Sequence, residues 1–383
     1  MAETFLLRPP LAPPAACLID GEPAGLDEAI ERAVEILLAA KAPLVMGLQR
    51  VTCDAQRAAV ELADRLGAVL DPVDDSGRSP DHTAVQSIGA VTATLGEVAS
   101  RADLVVYWNV DPMVTHPRHM ERFARPPLVA RGAEGIARRV IAVGMRRTAT
   151  SQASDEFLQL GAAGDEAALT ALRALVRAVA IDERATASQT GATVAQWAYL
   201  AERLKSARYA AIFHGPQHAE PVTELVHDLH EHTRAVALCL GPPPNAQGAV
   251  EVLTWQTGFP SAVDFGAGYP QHRPGEASAA AVLERREADA AVIIAVDPLE
   301  SLGGRAAAGL RALPTIVLDQ RLSPTAASAA VAFFTPRFGI ETDGEIFRSD
   351  GVVLPLRSAT PSTLPAVERI LGQINQRLAA RRP

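Results

Sequence analysis

The sequence predicts an α/β protein of two Rossmann-like, doubly wound lobes. Short apolar runs of strand length alternate with longer stretches of helical period, 48% of the 383 residues are hydrophobic, and a strand pattern from the first half recurs in the second. A chain of this length with a mean hydropathy of +0.09 can bury a large core in two or three packed lobes.

The elements follow in order. The proline-rich start through Pro14 reads as part of an extended arm over residues 1–24. Leu26, Ile30, Val34 and Leu37 repeat at helical spacing, then apolar runs predict strands over 43–48, 104–108, 140–143, 209–213, 236–240, 291–296, 315–318 and 331–334. Helices are expected over 165–180 and 221–233, and the run Gly241-Pro-Pro-Pro244 reads as a loop or linker. Thr342-Asp-Gly344 and Ser349-Asp-Gly351 lie between apolar pairs and read as turns of C-terminal β-hairpins. Val367, Ile370, Leu371, Ile374 and Leu378 predict a terminal helix.

The internal repeat pairs Ala42-Pro-Leu-Val-Met-Gly47-Leu-Gln49 with Ala210-Ala-Ile-Phe-His-Gly215-Pro-Gln217. It also pairs the strand ending in Asp111-Pro112 with the one ending in Asp297-Pro298. The spacings differ, which excludes a solenoid and favours two related lobes. We place the first lobe at 25–85 plus 207–360, the second at 86–206, and the terminal helix at 361–383.

The net charge is −8, from 36 basic and 44 acidic side chains, and Lys41 and Lys205 are the only lysines. Arginines and carboxylates are interspersed without a basic run, which argues against a nucleic-acid or anionic-membrane partner. No basic segment precedes an apolar core near Met1 and no apolar run spans a bilayer, so a cytoplasmic location is expected. Cys17, Cys53 and Cys239 are odd in number and far apart, and read as reduced thiols.

Several patterns invite chemistry, and each has a plainer reading. His227, His230 and His232 could suggest zinc but lack a cysteine or further ligand, so surface or network histidines fit better. Cys53 lies in the first turn of an expected helix, where its pKa would fall, but no base or resolving thiol accompanies it. Gly47-Leu-Gln and Gly215-Pro-Gln could present backbone N–H groups to a phosphate, yet neither has dinucleotide-loop spacing and Pro216 removes a donor. Asp74-Asp75 is a carboxylate pair that reads as a solvated turn, and no G-x-S-x-G elbow is present.

One set of blocks is specific in combination. Asp71-Pro-Val-Asp-Asp-Ser-Gly77-Arg78-Ser-Pro80 with Gly89, then Trp108-Asn-Val-Asp-Pro112, His116-Pro-Arg-His119, Thr257-Gly-Phe-Pro260, Val263-Asp-Phe265, Gly268-Tyr-Pro270, Pro274-Gly-Glu276 and Arg348-Ser-Asp-Gly-Val352 run in order along the chain. Together they resemble the metal-carrying B subunit of formylmethanofuran dehydrogenase, which holds a molybdenum or tungsten pterin on a molybdopterin-oxidoreductase-type fold. The resemblance places Gly77 and Arg78 where that family has its metal-ligating Cys and neighbouring His, and Gln271 where it has Arg. The family's N-terminal cysteine cluster for a [4Fe–4S] centre has only Cys17 as a counterpart, whereas such a cluster needs about four thiolates.

A glycine cannot replace a thiolate ligand. The resemblance therefore implies a polypeptide without catalytic, cofactor-binding or metal-ligating residues, as in the formyltransferase/hydrolase complex of methylotrophic bacteria. The expected role is structural: docking the amidohydrolase-like component of a complex in tetrahydromethanopterin- and methanofuran-linked conversion of formaldehyde to formate. Gly77, Arg78, His116, Arg118, His119 and Gln271 would mark the vestigial site, some of them possible anion contacts for formate or the formyl-carrier coenzyme. The alternative is an active dehydrogenase component that carries a molybdenum or tungsten pterin, with Arg78 holding formate.

Overall fold

A computed structural model describes residues 15–73, 83–129, 136–162, 164–241 and 244–381. The chain forms two units, Met1–Pro80 with Pro242–Pro383, and Asp81–Gly241. It begins the first with β1 (Cys17–Ile19), β2 (Glu22–Pro23), β3 (Pro43–Gly47) and β4 (Val69–Asp71). It then builds the second unit's strands, β5 (Leu104–Trp108), β6 (Arg139–Gly144), β7 (Glu156–Gln159), β8 (Tyr209–His214) and β9 (Arg234–Cys239). It returns to the first with β10 (Val263–Asp264), β11 (Gln271–His272), β12 (Ala290–Ile294), β13 (Thr315–Asp319), β14 (Val331–Phe334), β15 (Gly344–Phe347) and β16 (Val353–Leu356).

The first unit's sheet has the order β11-β10-β4-β3-β12-β13-β14-β1-β2. Its five central strands are parallel, and a short antiparallel pair extends each edge. Parallel strands covered on both faces need apolar side chains in both directions. Leu44, Val45 and Met46 of β3 and Val292, Ile293 and Ile294 of β12 are fully buried. The helix Val367–Arg381 buries Ile370, Leu371, Ile374 and Leu378 against the helices Cys53–Leu66 and Leu26–Ala39. The second unit carries the all-parallel sheet β7-β6-β5-β8-β9.

Several boundaries differ from the sequence reading. Residues 207–241 belong to the second unit, because β8 pairs with β5 and β9 with β8. Residues 17–23 form a hairpin on β14 rather than an extended arm, and the terminal helix is part of the first unit's core. Between Arg337 and Arg357 one hairpin is present, not two: β15 and β16 are joined through Arg348–Val352, while Asp343 accepts hydrogen bonds from the Ser358 N–H and hydroxyl.

The repeat in the sequence corresponds to a shared turn. After β5 and after β12 the chain enters the left-handed region at Asn109 (φ 48°) and Ala295 (φ 54°), and each N–H bonds the neighbouring strand, at Val143 O (2.7 Å) and Leu318 O (2.8 Å). The following aspartate then ties down the segment after that strand. Asp111 Oδ1 accepts from Thr150 N (3.0 Å) and its hydroxyl, and Asp297 Oδ1 accepts from Thr325 N (3.3 Å) and its hydroxyl. Met113 N and Leu299 N donate to the same threonine hydroxyls. Relative to the Asp-Pro strand, the Gly-Gln strand comes first in the chain in one unit (β3 before β12) and second in the other (β8 after β5). That permutation explains the unequal spacings.

Candidate functional site

Open parallel sheets hold ligands beyond the carboxyl ends of their strands, where the strand order reverses. In the first unit this point lies between β3 and β12. Gly47 (φ 108°) ends β3 in the left-handed region, and any Cβ there would collide with the Ile294 carbonyl. Residues 74–82 lie outside the described residues, so Asp74, Asp75, Gly77, Arg78 and Pro80 have no structural account. Asp71, which begins the loop, is completely buried. Its Oδ1 accepts from Ala262 N (3.3 Å) and its Oδ2 from Ala279 N (2.8 Å), at the start of the helix Ala279–Arg285. This carboxylate holds backbone together. Gln271 lies on β11 and donates to the Tyr269 hydroxyl (3.0 Å), beside a ring that is itself exposed.

In the second unit the two imidazoles of the His-Pro-Arg-His run lie edge-on, 6.3 Å between centroids, while the arginine turns away to an ion pair. His116 is partly buried, bonds the Thr115 hydroxyl through Nδ1 (2.9 Å), and burial lowers its pKa. Arg118 (φ 69°) is exposed and ion-paired with Glu121 (3.1 Å). His119 is a core residue, 5% exposed, packed edge-on against Phe213 (4.7 Å between centroids) and near Tyr107 and Phe123. Burial and the nearby His116 hold its pKa down at about 4, and its Nε2 has no partner. His119 is thus neutral and inaccessible.

The second unit's switch point, between β5 and β8, holds a network that the sequence reading missed. Asp165, first residue of the helix Asp165–Val176, accepts from Trp108 Nε1 (3.1 Å) and Asn109 Nδ2 (2.9 Å), and His218 Nε2 lies 3.4 Å from its Oδ2. Burial opposes its ionisation, but the His218, Trp108 and Asn109 bonds prevail and lower its pKa. His214, at the end of β8, bonds the Gly215 carbonyl through Nδ1 (2.8 Å), and burial holds its pKa at about 4. An aspartate opening a helix after a glycine was the available signal, but helix starts favour acids for structural reasons alone.

A thiolate-ligated molybdenum or tungsten pterin does not fit the donors present. Cys17 on β1, Cys53 at the start of the helix Cys53–Leu66 and Cys239 on β9 lie on separate elements. Burial pushes Cys17 and Cys239 up to about 11 and raises Cys53 as well, contrary to an activated helix-terminal thiol. Among the described residues no three His, Cys, Asp or Glu side chains form a group able to hold a metal. His230 and His232 bond two different backbone carbonyls, Ala235 O (2.8 Å) and Val176 O (3.2 Å). Asp319, pushed up to about 6 by burial, is satisfied by the Ser323 hydroxyl and Gln320 N–H. No described helix is long and apolar enough to cross a membrane.

No protein-family model matches the sequence. Comparison with individual proteins is decisive. The chain is 33% identical over 344 residues to the B subunit of the tungsten-containing formylmethanofuran dehydrogenase 2 of Methanocaldococcus jannaschii, covering 86% of this chain and 78% of that protein. It is 31% identical over 291 residues to the B subunit of the formyltransferase/hydrolase complex of Methylorubrum extorquens, covering 74% and 75%. A chain in the crystal structure of that complex with methylofuran superposes with a TM-score of 0.80 at 29% identity, covering 96% of this chain and 99% of that one. Acetylene hydratase from Pelobacter acetylenicus shares the fold alone (TM-score 0.61, 13% identity, 92% and 58% covered). Identity of this extent, with the ordered blocks and both doubly wound units in place, means that the chain belongs to the family of formylmethanofuran dehydrogenase B subunits, which includes its counterpart in the formyltransferase/hydrolase complex.

Proposed function

We propose that this chain is a non-catalytic structural component of a formyltransferase/hydrolase complex, with the amidohydrolase-like hydrolase polypeptide as its chief partner. The observation that carries this is the pair Gly77 and Arg78 at the positions that the family resemblance gives to the metal-binding Cys and its His neighbour. The thiols support it, because Cys17, Cys53 and Cys239 lie on three separate elements and burial raises the pKa of each. Asp71 supports it too: the loop's retained carboxylate serves the fold through Ala262 N and Ala279 N, a role that outlives lost chemistry.

In this reading the chain holds no cofactor, and its lobes offer a rigid surface to neighbouring polypeptides in one-carbon metabolism. Cores built of close-packed parallel strands do not depend on a ligand for their shape. Purification of the complex from the native host tests the assembly, with this chain expected in fixed ratio to the hydrolase; recovery as a lone monomer contradicts it. In the same preparation, Arg78→Ala is expected to leave turnover within about threefold of wild type. A loss near a thousandfold with assembly intact would place Arg78 in the electrostatics of catalysis.

A further inference from the structure

Three nitrogen atoms from two chain segments surround one carboxylate in the second unit: two donate hydrogen bonds to it, and the third, His218 Nε2, lies 3.4 Å away. Trp108 Nε1 and Asn109 Nδ2 come from the end of β5, and His218 comes from the turn Pro216–His218 after β8, so they flank the switch point from both sides. Trp108 is 1% and His218 5% exposed. Donors held together in a buried place form a receptor for an anion, since leaving them unpaired costs their full desolvation. Asp165 arrives from elsewhere in the chain, 53 to 57 residues distant from each donor, and its carboxylate meets them at the N-terminus of its own helix. His218 Nδ1 remains buried without a partner.

We propose that the β5/β8 crevice is a carboxylate-binding site that the chain fills with its own Asp165, and that it accepts a small free carboxylate when that side chain is removed. The site is an internal lock, closed to external ligands in the wild-type chain. This inference is independent of the scaffold reading, because it concerns the second unit alone and would hold equally for a catalytic component.

Thermal unfolding of the full chain in sodium acetate or formate, against sodium chloride at equal ionic strength, tests it. Asp165→Ala is expected to lower Tm by about 4–8 °C in chloride, from the loss of charge-assisted hydrogen bonds. Acetate or formate should then restore at least half of that loss, while wild type responds to them no more than to chloride. Failure of both anions to restore the variant, or an equal gain by wild type, overturns the proposal. Should Asp165→Ala not fold, Asp165→Ser serves in the same comparison of acetate or formate with chloride, with the same expected and overturning results.

Discussion

His119 shows how a residue's setting decides its chemistry. The His-Pro-Arg-His run suggested an anion contact, but an imidazole enclosed by Phe213, Phe123 and Tyr107 with Nε2 unpartnered is a packing group. Its folded pKa of about 4 lies below that of the unfolded chain, about 6.5. Its contribution to stability is therefore complete above pH 6.5 and is lost as pH falls toward 4, because the unfolded chain takes up a proton that the folded chain refuses. His119→Phe fits the aromatic setting and should reduce the slope of unfolding free energy against pH between about 6.5 and 4 by about one proton, about 1.4 kcal/mol per pH unit. Urea titrations at stepped pH measure this, and an unchanged slope contradicts the burial argument. Asp71→Ala should cost about 2–4 kcal/mol in the same assay, since two buried backbone N–H groups lose their acceptor. A cost below about 0.5 kcal/mol would remove Asp71 from the framework.

The two Asp-Pro turns give the fold its repeat at the level of elements. Asp111 and Asp297 each join a strand end to the segment beyond the next strand, through Thr150 and Thr325. Asp111→Ala and Asp297→Ala should each destabilise by about 2–3 kcal/mol, and the two values should agree within about a factor of two. Equality would support one device used twice; a neutral member of the pair would not. The parallel strands were legible because burial on both faces leaves uninterrupted apolar runs: the expected 104–108 and 331–334 coincide with β5 and β14. Short β1, β2, β10 and β11 gave no such signal, since two or three residues have no period and their pairing depends on distant partners. The 207–241 boundary failed for a related reason. The repeat placed the Gly-Gln strand first, and nothing local reveals that in the second unit it follows the Asp-Pro strand.

For the whole molecule, the ordered blocks and the departure at Gly77 and Arg78 made the family legible, but not the Asp165 network. Convergence of Trp108, Asn109 and His218 is a property of packing between strands far apart in the chain. We propose that a redox fold persists here as framework, without the thiolate that would hold its metal. Elemental analysis of the complex purified from its native host is the test. The expected result is at most trace molybdenum and tungsten, with this chain present in full ratio to its partner polypeptides. About one molybdenum or tungsten per copy of this chain would contradict it.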